Sequence, residues 1–442
     1  MWQDMLPGLM GFAALLGLIA LRCPVGLAML LVGAVGYVQI VDLPTFLNYL
    51  KTTPWHLFAS YTLSVIPMFI LMGALAERGG LARELFAAAN AMVGHHRGGL
   101  AQGAMVGCTV FGAICGSSVA TTATMGRACL PELRRFNYEP GVAAAMLAVG
   151  GTLGVLIPPS VILVIYAIST EQNIVKLFMA STIPGLIAAA FYMLVIWLLA
   201  RRNPAAWPAL PQQPWPARLA ALRGVWGIAT ITLVVVAGLF AGIFTPTESA
   251  AVGCVLTLAL GVARGDLGLE GVLQALRATA ETTAMIFAIL LGAEVFNAFL
   301  ALSQLPDLAA LWVGESGLPP YGVLLVLLAF YIVLGAVMDE LAMLLLTLPV
   351  FFPVVTALDF GLTAEQTALW FGVLVLTVVG IGLTAPPIGL NVFVISGMAR
   401  DVPIARIYRG VMPFLATDLL RLGLCVIFPG LSLWLVRLLA PG

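Results

Sequence analysis

One short stretch of the chain places several oxygen-bearing side chains within an otherwise apolar region. The segment FGAICGSSVATTATMG, residues 111–126, carries Ser117, Ser118, Thr121 and Thr122 directly after Gly116. Hard cations prefer oxygen ligands, and glycine lets a backbone come close to a ligand. The stretch therefore predicts an oxygen-rich site for a cation such as sodium. The alternative is a packing face, because Ser, Thr and Ala let membrane helices approach one another closely.

Two Pro-Pro pairs interrupt apolar runs that otherwise have the character of membrane helices. They lie in GTLGVLIPPSVILVIY, residues 151–166, and in GIGLTAPPIGLNVFVIS, residues 380–396. Unpaired backbone groups are not tolerated in hydrocarbon, so such a break indicates a bound ion or ligand. A first cation site is predicted at Gly116, Ser117, Ser118, Thr152, Gly154 and Pro158. A second is predicted at Gly335, Met338, Asp339, Gly382, Thr384 and Pro386.

A few charged side chains lie inside apolar segments, where an ionisable residue is a functional candidate. Asp339 is the stronger candidate of the adjacent acids, and Glu340 is expected to cap or pair. Arg127 could meet a substrate carboxylate or pair with Glu132. Glu294 could pair across helices or line a cavity.

Two other charged positions have simpler interpretations. Asp418 and Arg421 are three residues apart, so they are expected to pair on one helix face. Glu248, in FTPTESA, is expected to cap the start of a helix, where an acid favours the helix dipole.

Composition assigns the chain to the integral membrane proteins. Its 442 residues are 62% hydrophobic and 9% charged, whereas soluble domains are about 25% charged. The net charge is zero, so nothing indicates a nucleic-acid partner. The six cysteines are scattered through apolar segments without a CxxC pair and are expected to be buried.

A membrane span needs about 20 apolar residues, and this criterion predicts a polytopic all-α protein. Ten spans are predicted near residues 5–21, 25–41, 55–77, 139–170, 176–200, 225–243, 246–263, 282–303, 366–398 and 411–437. Apolar regions at about 98–135 and 318–357 are too long for one span and are predicted to be re-entrant helical hairpins. Residues 201–223 carry four arginines and no acid, which predicts a cytoplasmic connector and places both termini outside.

The order of the elements repeats after about 220–230 residues, with opposite charge bias at the hairpins. Each hairpin is followed by a span broken at Pro-Pro, and paired broken helices in inverted repeats are typical of secondary transporters. The predicted division is 1–54 (N-terminal scaffold), 55–175 (first repeat), 176–281 (scaffold and connector), 282–400 (second, inverted repeat) and 401–442 (C-terminal helix).

These motifs resemble a known family over essentially the whole chain. FGAICGSSVATTATMG, GVLIPPSVILVIY, FTPTESA, GAVMDELAMLLLTLPVFFP and GIGLTAPPIGLNVFV occur in the order of the large, M-type (DctM-like) membrane subunit of tripartite ATP-independent periplasmic (TRAP) transporters. Two departures stand out. Cys115 occupies a position where a serine is expected, and TAPPIG carries Ala385 where the family often has TPP.

The resemblance implies an elevator-type permease of the bacterial inner membrane that imports an organic anion. It further implies two coupling sodium ions at the hairpin tips and no other cofactor. Its implied partners are a small four-helix (Q-type) membrane subunit and a periplasmic (P-type) substrate-binding protein. Candidate substrate contacts are Thr121, Thr122, Arg127, Ser160 and Asn391.

Two other functions are compatible with parts of the sequence. A stand-alone sodium- or proton-coupled anion symporter would need no binding protein, and a proton-coupled one would use Asp339 or Glu294. A membrane-embedded enzyme is disfavoured, because the chain has no HExxH or GxSxG motif and its acids are dispersed.

Overall fold

The computed structural model of the protein describes residues 2–440 and is helical, with no β-strand among those residues. The ends of the predicted N-terminal scaffold and C-terminal helix, residues 1, 441 and 442, lie outside the described residues. The helices are α1 (Trp2–Ala20), α2 (Val25–Ile40), α3 (Leu43–Phe58), α4 (Val65–Arg78), α5 (Leu81–Val93), α6 (Gly99–Cys115), α7 (Ser118–Arg135), α8 (Pro140–Gly151), α9 (Leu153–Leu156), α10 (Val161–Ser169), α11 (Ile174–Arg202), α12 (Trp215–Phe240), α13 (Pro246–Ala263), α14 (Leu269–Leu302), α15 (Leu305–Glu315), α16 (Pro320–Gly335), α17 (Glu340–Thr356), α18 (Ala364–Gly382), α19 (Leu390–Met398), α20 (Ile404–Ile427) and α21 (Gly430–Leu439).

Six single helices are long and apolar enough to cross a membrane, namely α11, α12, α13, α14, α18 and α20. Two bent pairs raise this number to as many as eight. One pair is α3 with Thr62–Arg78, bent by 57°, and the other is Pro140–Leu156 with α10, bent by 42°. The chain is therefore a polytopic membrane protein, as its composition predicts.

Both predicted hairpins consist of two helices joined by a short turn. In the first, α6 ends at Cys115, Gly116 turns the chain with φ +64°, and α7 begins at Ser118. In the second, α16 ends at Gly335 and α17 begins at Glu340. Ser117 and Asp339 are the respective N-caps; the Ser117 hydroxyl accepts the Ala120 N–H, and the Asp339 carboxylate accepts the Leu341 and Ala342 N–H groups. We call residues 116–118 tip 1 and residues 335–340 tip 2.

Both predicted broken spans lose their helical structure at Pro-Pro. Residues 157–160 separate α9 from α10, and residues 383–389 separate α18 from α19. Proline has no N–H to continue a helical ladder, which explains the position of each interruption. We call residues 152–160 and 380–389, which contain these two interruptions and the helical residues just before them, break 1 and break 2.

Several span boundaries predicted from hydropathy alone are wrong. The span near 55–77 begins inside α3, and the chain leaves the helix at Ala59–Tyr61 before α4. The C-terminal span near 411–437 is two helices, α20 and α21, because Pro429 ends the helical ladder. The span predicted to start at residue 282 belongs to α14, which starts at Leu269. The first turns of α14 carry charged residues, so a hydropathy criterion leaves them out of the span. The connector at 201–223 is helical from Trp215 onward.

Candidate functional site

Tip 1 is bonded directly to break 1. The Val161 N–H donates to the Gly116 carbonyl at 3.2 Å. A Cβ placed on Gly116 would lie 3.0 Å from the Pro159 carbonyl oxygen, so glycine permits this close approach as well as the left-handed turn. Ser160 is fully buried and caps α10 by accepting the Leu163 N–H at 3.5 Å. The first predicted cation site is thus assembled from a hairpin turn and a helix break that touch.

Two hydroxyls behind tip 1 have no hydrogen-bond partner among the described residues. These are the Oγ1 atoms of Thr121 and Thr122, and both side chains are fully buried. A Cβ on Gly154 would lie 2.7 Å from the Thr121 hydroxyl and 2.8 Å from the Ser117 carbonyl oxygen. A Cβ on Gly151 would overlap the Thr122 hydroxyl. Buried oxygens without partners are costly unless a ligand satisfies them, so this junction fits a small hard cation such as sodium.

Tip 2 and break 2 meet through a second pair of glycines. A Cβ on Gly382 would lie 2.5 Å from the carbonyl carbon of Gly335. The Asp339 carboxylate is already engaged, since it accepts the Leu341 and Ala342 N–H groups at 3.1 and 3.0 Å. The Thr384 hydroxyl donates to the carbonyls that precede it, of which Ile381 lies at 3.2 Å. The second predicted cation site is therefore close-packed, with its polar side chains engaged in local bonds.

The two remaining members of that predicted site lie nearer the surface of break 2 and tip 2. Pro386 is exposed, and Met338 is half-buried. The carbonyls that follow Pro386 are held by Tyr408, whose hydroxyl donates to the Pro387 carbonyl at 3.0 Å.

Asn391 joins break 2 to tip 1. Its Nδ2 donates to the Ser118 hydroxyl at 2.7 Å and to the Ala148 carbonyl at 3.0 Å, while its own N–H donates to Leu383. The side chain is fully buried and its Oδ1 has no partner among the described residues. A residue from the second predicted repeat thus completes the polar surroundings of the first site.

Equivalent glycine contacts recur in the two halves. Gly112 in α6 approaches Gly154, where a Cβ would lie 2.9 Å from the Gly154 Cα. Gly335 in α16 approaches Gly382 in the same way. The two breaks also touch each other, because a Cβ on Gly380 would lie 3.6 Å from the Thr152 Cβ. These contacts lie at matching positions in the two predicted repeats.

A cavity of about 540 Å³ lies between the two tips on one side and α4 and α14 on the other. Its lining includes Gly116, Ser117, Asp339 and Glu340 from the tips. The opposite wall is mostly apolar and consists of Ile70, Gly73, Ala74, Glu77, Ala278, Thr282, Met285, Ile286 and Ile289. Small-molecule sites typically have volumes of roughly 300–1,000 Å³ and are lined mainly by apolar groups with a few polar ones. This cavity is therefore the candidate substrate site.

None of the five predicted substrate contacts lines this cavity; Thr121, Thr122, Ser160 and Asn391 lie in the packed layer behind the tips. Their contact with a substrate stays a prediction.

Arg127 forms a salt bridge with Glu77 of α4, which is neither of the two partners expected for it. Since Glu77 lines the cavity, this ion pair lies beside it. Glu294 is exposed on α14 and does not line the cavity.

A buried polar network supports break 1 from behind. The Tyr192 hydroxyl lies 3.2 Å from the Thr152 hydroxyl and donates to both Asp418 oxygens at 2.8 and 2.7 Å. Arg421 donates to Asp418 at 2.8 Å, which confirms the expected pair. The Thr152 hydroxyl thus belongs to this network, and it also donates to the Val149 carbonyl at 2.7 Å.

The cap predicted for Glu248 is also confirmed. Glu248 forms a capping box with Thr245 at the start of α13.

The sequence of the chain matches the profile of the DctM component of tripartite ATP-independent periplasmic transporters over residues 12–431. The chain belongs to the DctM family. A relative in Pseudomonas aeruginosa, a C4-dicarboxylate TRAP transporter large permease, is 37% identical over 376 residues, covering 84% of this chain and 86% of that protein. The sialic acid TRAP transporter large permease SiaM of Vibrio cholerae is 30% identical over 424 residues, covering 96% of this chain and 97% of its own.

The fold of this DctM-family chain is also found in a solved transporter structure. The YdaH transporter of Alcanivorax borkumensis superimposes with a TM-score of 0.63 at 18% identity, covering 90% of this chain and 91% of that one. This similarity concerns the fold alone. The family resemblance proposed from the motifs is confirmed, and the chain is a large TRAP permease subunit and not an enzyme.

Three features of the site were not predicted from the sequence. Glu77 lies in the last turn of α4, and its sequence neighbours give no sign that it would reach Arg127. Tyr192 is one of several aromatic residues in the long apolar helix α11. Its partners are Asp418, which is more than 200 residues away, and Thr152 in the first broken span. Glu340 was expected to cap or pair, yet its Oε2 has no partner among the described residues.

Proposed function

We propose that this chain carries an organic anion bearing a carboxylate across the membrane, driven by sodium. The observation that carries the proposal is the pair of buried, unpartnered hydroxyls of Thr121 and Thr122 beside Gly151 and Gly154. A sodium ion there would satisfy those oxygens and tie tip 1 to break 1. The names of the relatives, which include C4-dicarboxylate and sialic acid permeases, support a carboxylate as the substrate.

The proposed mechanism is an elevator movement of the two hairpins and two broken spans as one block. Contacts between tip 1 and break 1, between tip 2 and break 2, and from Asn391 to Ser118 hold these elements together. The cavity lies where this block faces α4 and α14. Moving the block past that wall would carry a substrate held at the tips from one side of the membrane to the other.

The proposal includes partners and an orientation. A small four-helix membrane subunit and a periplasmic substrate-binding protein would complete the transporter in the bacterial inner membrane. The connector that starts at Arg201 would be cytoplasmic and both termini periplasmic, as the arginine bias predicts.

The test is uptake by proteoliposomes that contain this chain and the small subunit, with the binding protein and candidate organic acids outside. We expect uptake to require both an inward sodium gradient and the binding protein. Uptake with sodium but without the binding protein would instead favour a stand-alone symporter. Uptake driven only by a proton gradient would contradict the sodium assignment.

Thr121→Val and Thr122→Val should each raise the sodium concentration for half-maximal uptake by about tenfold, which corresponds to about 1.4 kcal/mol of lost sodium binding. Valine keeps the branched shape of threonine and removes the oxygen. The matched control is Thr377→Val, because Thr377 is equally buried and its hydroxyl bonds only to the Val373 carbonyl of its own helix. An unchanged sodium dependence in both tip variants would remove the cation from this junction.

A charge exchange between Glu77 and Arg127 should restore most of the uptake lost in either single variant. The pair is half-exposed, with side-chain exposures of 29% for Glu77 and 56% for Arg127, so its contribution to stability is about 1 kcal/mol or less. The measurement is the substrate concentration for half-maximal uptake in Arg127→Glu, Glu77→Arg and the double variant. If the double variant stays as impaired as Arg127→Glu, Arg127 contacts the substrate and not only Glu77.

A further inference from the structure

The charged side chains that line the substrate cavity are all acidic. Among the described residues they are Glu77, Asp339 and Glu340, and no lysine or arginine lines it. Glu77 is compensated by Arg127, and the Asp339 carboxylate accepts two backbone N–H groups of α17. Two of the three carboxylates therefore have partners within the protein.

Glu340 has no such partner on one of its oxygens. The residue is 9% exposed, and its Oε2 makes no hydrogen bond among the described residues. No described ion pair includes it. Taking a carboxylate out of water costs several kcal/mol unless an opposite charge or hydrogen-bond donors replace the water. Glu340 is among the residues that line the cavity, so a ligand there can approach its side chain.

The two tips present different groups to the cavity, because tip 2 carries acidic side chains and tip 1 carries none. At tip 1 the lining includes Val119 and Ala120 in the first turn of α7, where the helix N-terminus favours negative charge. At tip 2 the N-terminus of α17 is already capped by Asp339, and the lining includes Asp339 and Glu340. Between them the wall is apolar, with Met285 and Ile286 from α14. A ligand that matches this order has a carboxylate at one end, a hydrocarbon middle and a cationic group at the other.

We propose that Glu340 receives a cationic nitrogen of the substrate, so that the imported acid is a zwitterion bearing an ammonium or amidinium group. This inference rests on the proposed sodium-driven uptake of a carboxylate and adds the second charge of that substrate. Glu340 is then a specificity-determining residue, because a ligand without the cation leaves a buried carboxylate unpaired.

The experiment measures binding to the complex of this chain and the small subunit in nanodiscs, with sodium and without a binding protein. The probes are pairs of acids with four to six carbons, each pair being an ω-amino acid and the dicarboxylate of the same chain length. We expect the amino acid of at least one pair to bind about tenfold or more tightly than its dicarboxylate. Glu340→Gln should bring that ratio to about one or below and leave the sodium dependence of binding unchanged.

Two further variants make the result specific. Glu340→Asp keeps the charge and should retain the preference for the amino acid, which separates charge recognition from a folding defect. Glu315→Gln removes an exposed acid outside the cavity and should leave the ratio as it is. A preference for dicarboxylates in the parent, or no binding of any amino acid, would overturn the inference.

The outcomes also separate this inference from the proposed function. Sodium-driven uptake confined to dicarboxylates would overturn the zwitterion and leave the proposed function in place. Uptake that ignores sodium would contradict the proposed function itself. If Glu340→Gln changes the sodium dependence and not the amino acid preference, Glu340 binds the coupling ion and the inference fails.

Discussion

Asp418→Asn should lower the free energy of unfolding by about 3–5 kcal/mol, because it leaves the Arg421 guanidinium buried without a counter-charge. Asp418 and Arg421 are each 1% exposed, and Asp418 also accepts the Tyr192 hydroxyl. The amide that replaces the carboxylate keeps the shape and removes the charge. Chemical denaturation in lipid–detergent mixed micelles would measure the loss.

The control for Asp418 is an acid whose ion pair lies at the surface. Asp401 pairs with Arg134 at 2.5 Å, with side-chain exposures of 62% and 37%. Asp401→Asn should therefore cost about 1 kcal/mol or less. Adding Arg421→Met to Asp418→Asn should recover more than half of the loss, because a buried pair can often be replaced by apolar groups. A loss below about 1 kcal/mol in Asp418→Asn would show that the Arg421 charge is solvated in the working protein.

Gly382→Ala should reduce sodium-driven uptake to less than about a tenth of the parent rate, since small misplacements at a working site can cost about 100-fold. The new Cβ would lie 2.5, 2.6 and 2.8 Å from the carbonyl carbon, Cα and carbonyl oxygen of Gly335. All three are backbone atoms, so no side-chain rotation can relieve the overlap and tip 2 must separate from break 2. The measurement is the initial rate of uptake in proteoliposomes.

The matched control is Gly423→Ala in α20, where a Cβ would meet nothing within 4 Å. Uptake should be unchanged there, and the helix should gain about 0.5–1 kcal/mol because alanine is the better helix former. Gly154→Ala should resemble Gly382→Ala, because its Cβ would meet the Ser117 carbonyl oxygen at 2.8 Å at the equivalent place in the first half. Normal uptake in Gly382→Ala would mean that the Gly335 contact does not persist during transport.

Asp418→Asn tests a network that packs against the block of helices, and Gly382→Ala tests a contact within the block. The network of Tyr192, Asp418 and Arg421 packs behind break 1 and touches it at Thr152. The glycine contacts hold the tips against the breaks. We therefore expect Asp418→Asn to affect mainly stability, and Gly382→Ala to affect mainly uptake at a similar yield of folded protein.

The sequence alone determined the class of the protein and the place of its principal features. An apolar composition with few charges demands membrane spans. A Pro-Pro pair removes two consecutive N–H donors, so break 1 and break 2 were both located from these pairs, whereas single prolines such as Pro184 and Pro413 lie inside helices. The hairpin expected at about 98–135 is α6 and α7, and the one at about 318–357 is α16 and α17. Local chemistry suffices for these features, as it does for the Thr245–Glu248 capping box and for the pair of Asp418 with Arg421.

Only the tertiary structure decided which groups meet across distant parts of the chain. Glu77 reaches Arg127, and Asn391 reaches Ser118, although neither pair is close in sequence. Glu340 borders a cavity whose other wall is α14, and hydropathy carries no information about that wall. An apolar helix buries one face and presents another, and its composition does not say which neighbour each face will contact. The elements follow from the sequence because local backbone chemistry defines them, whereas the site follows from the packing that brings them together.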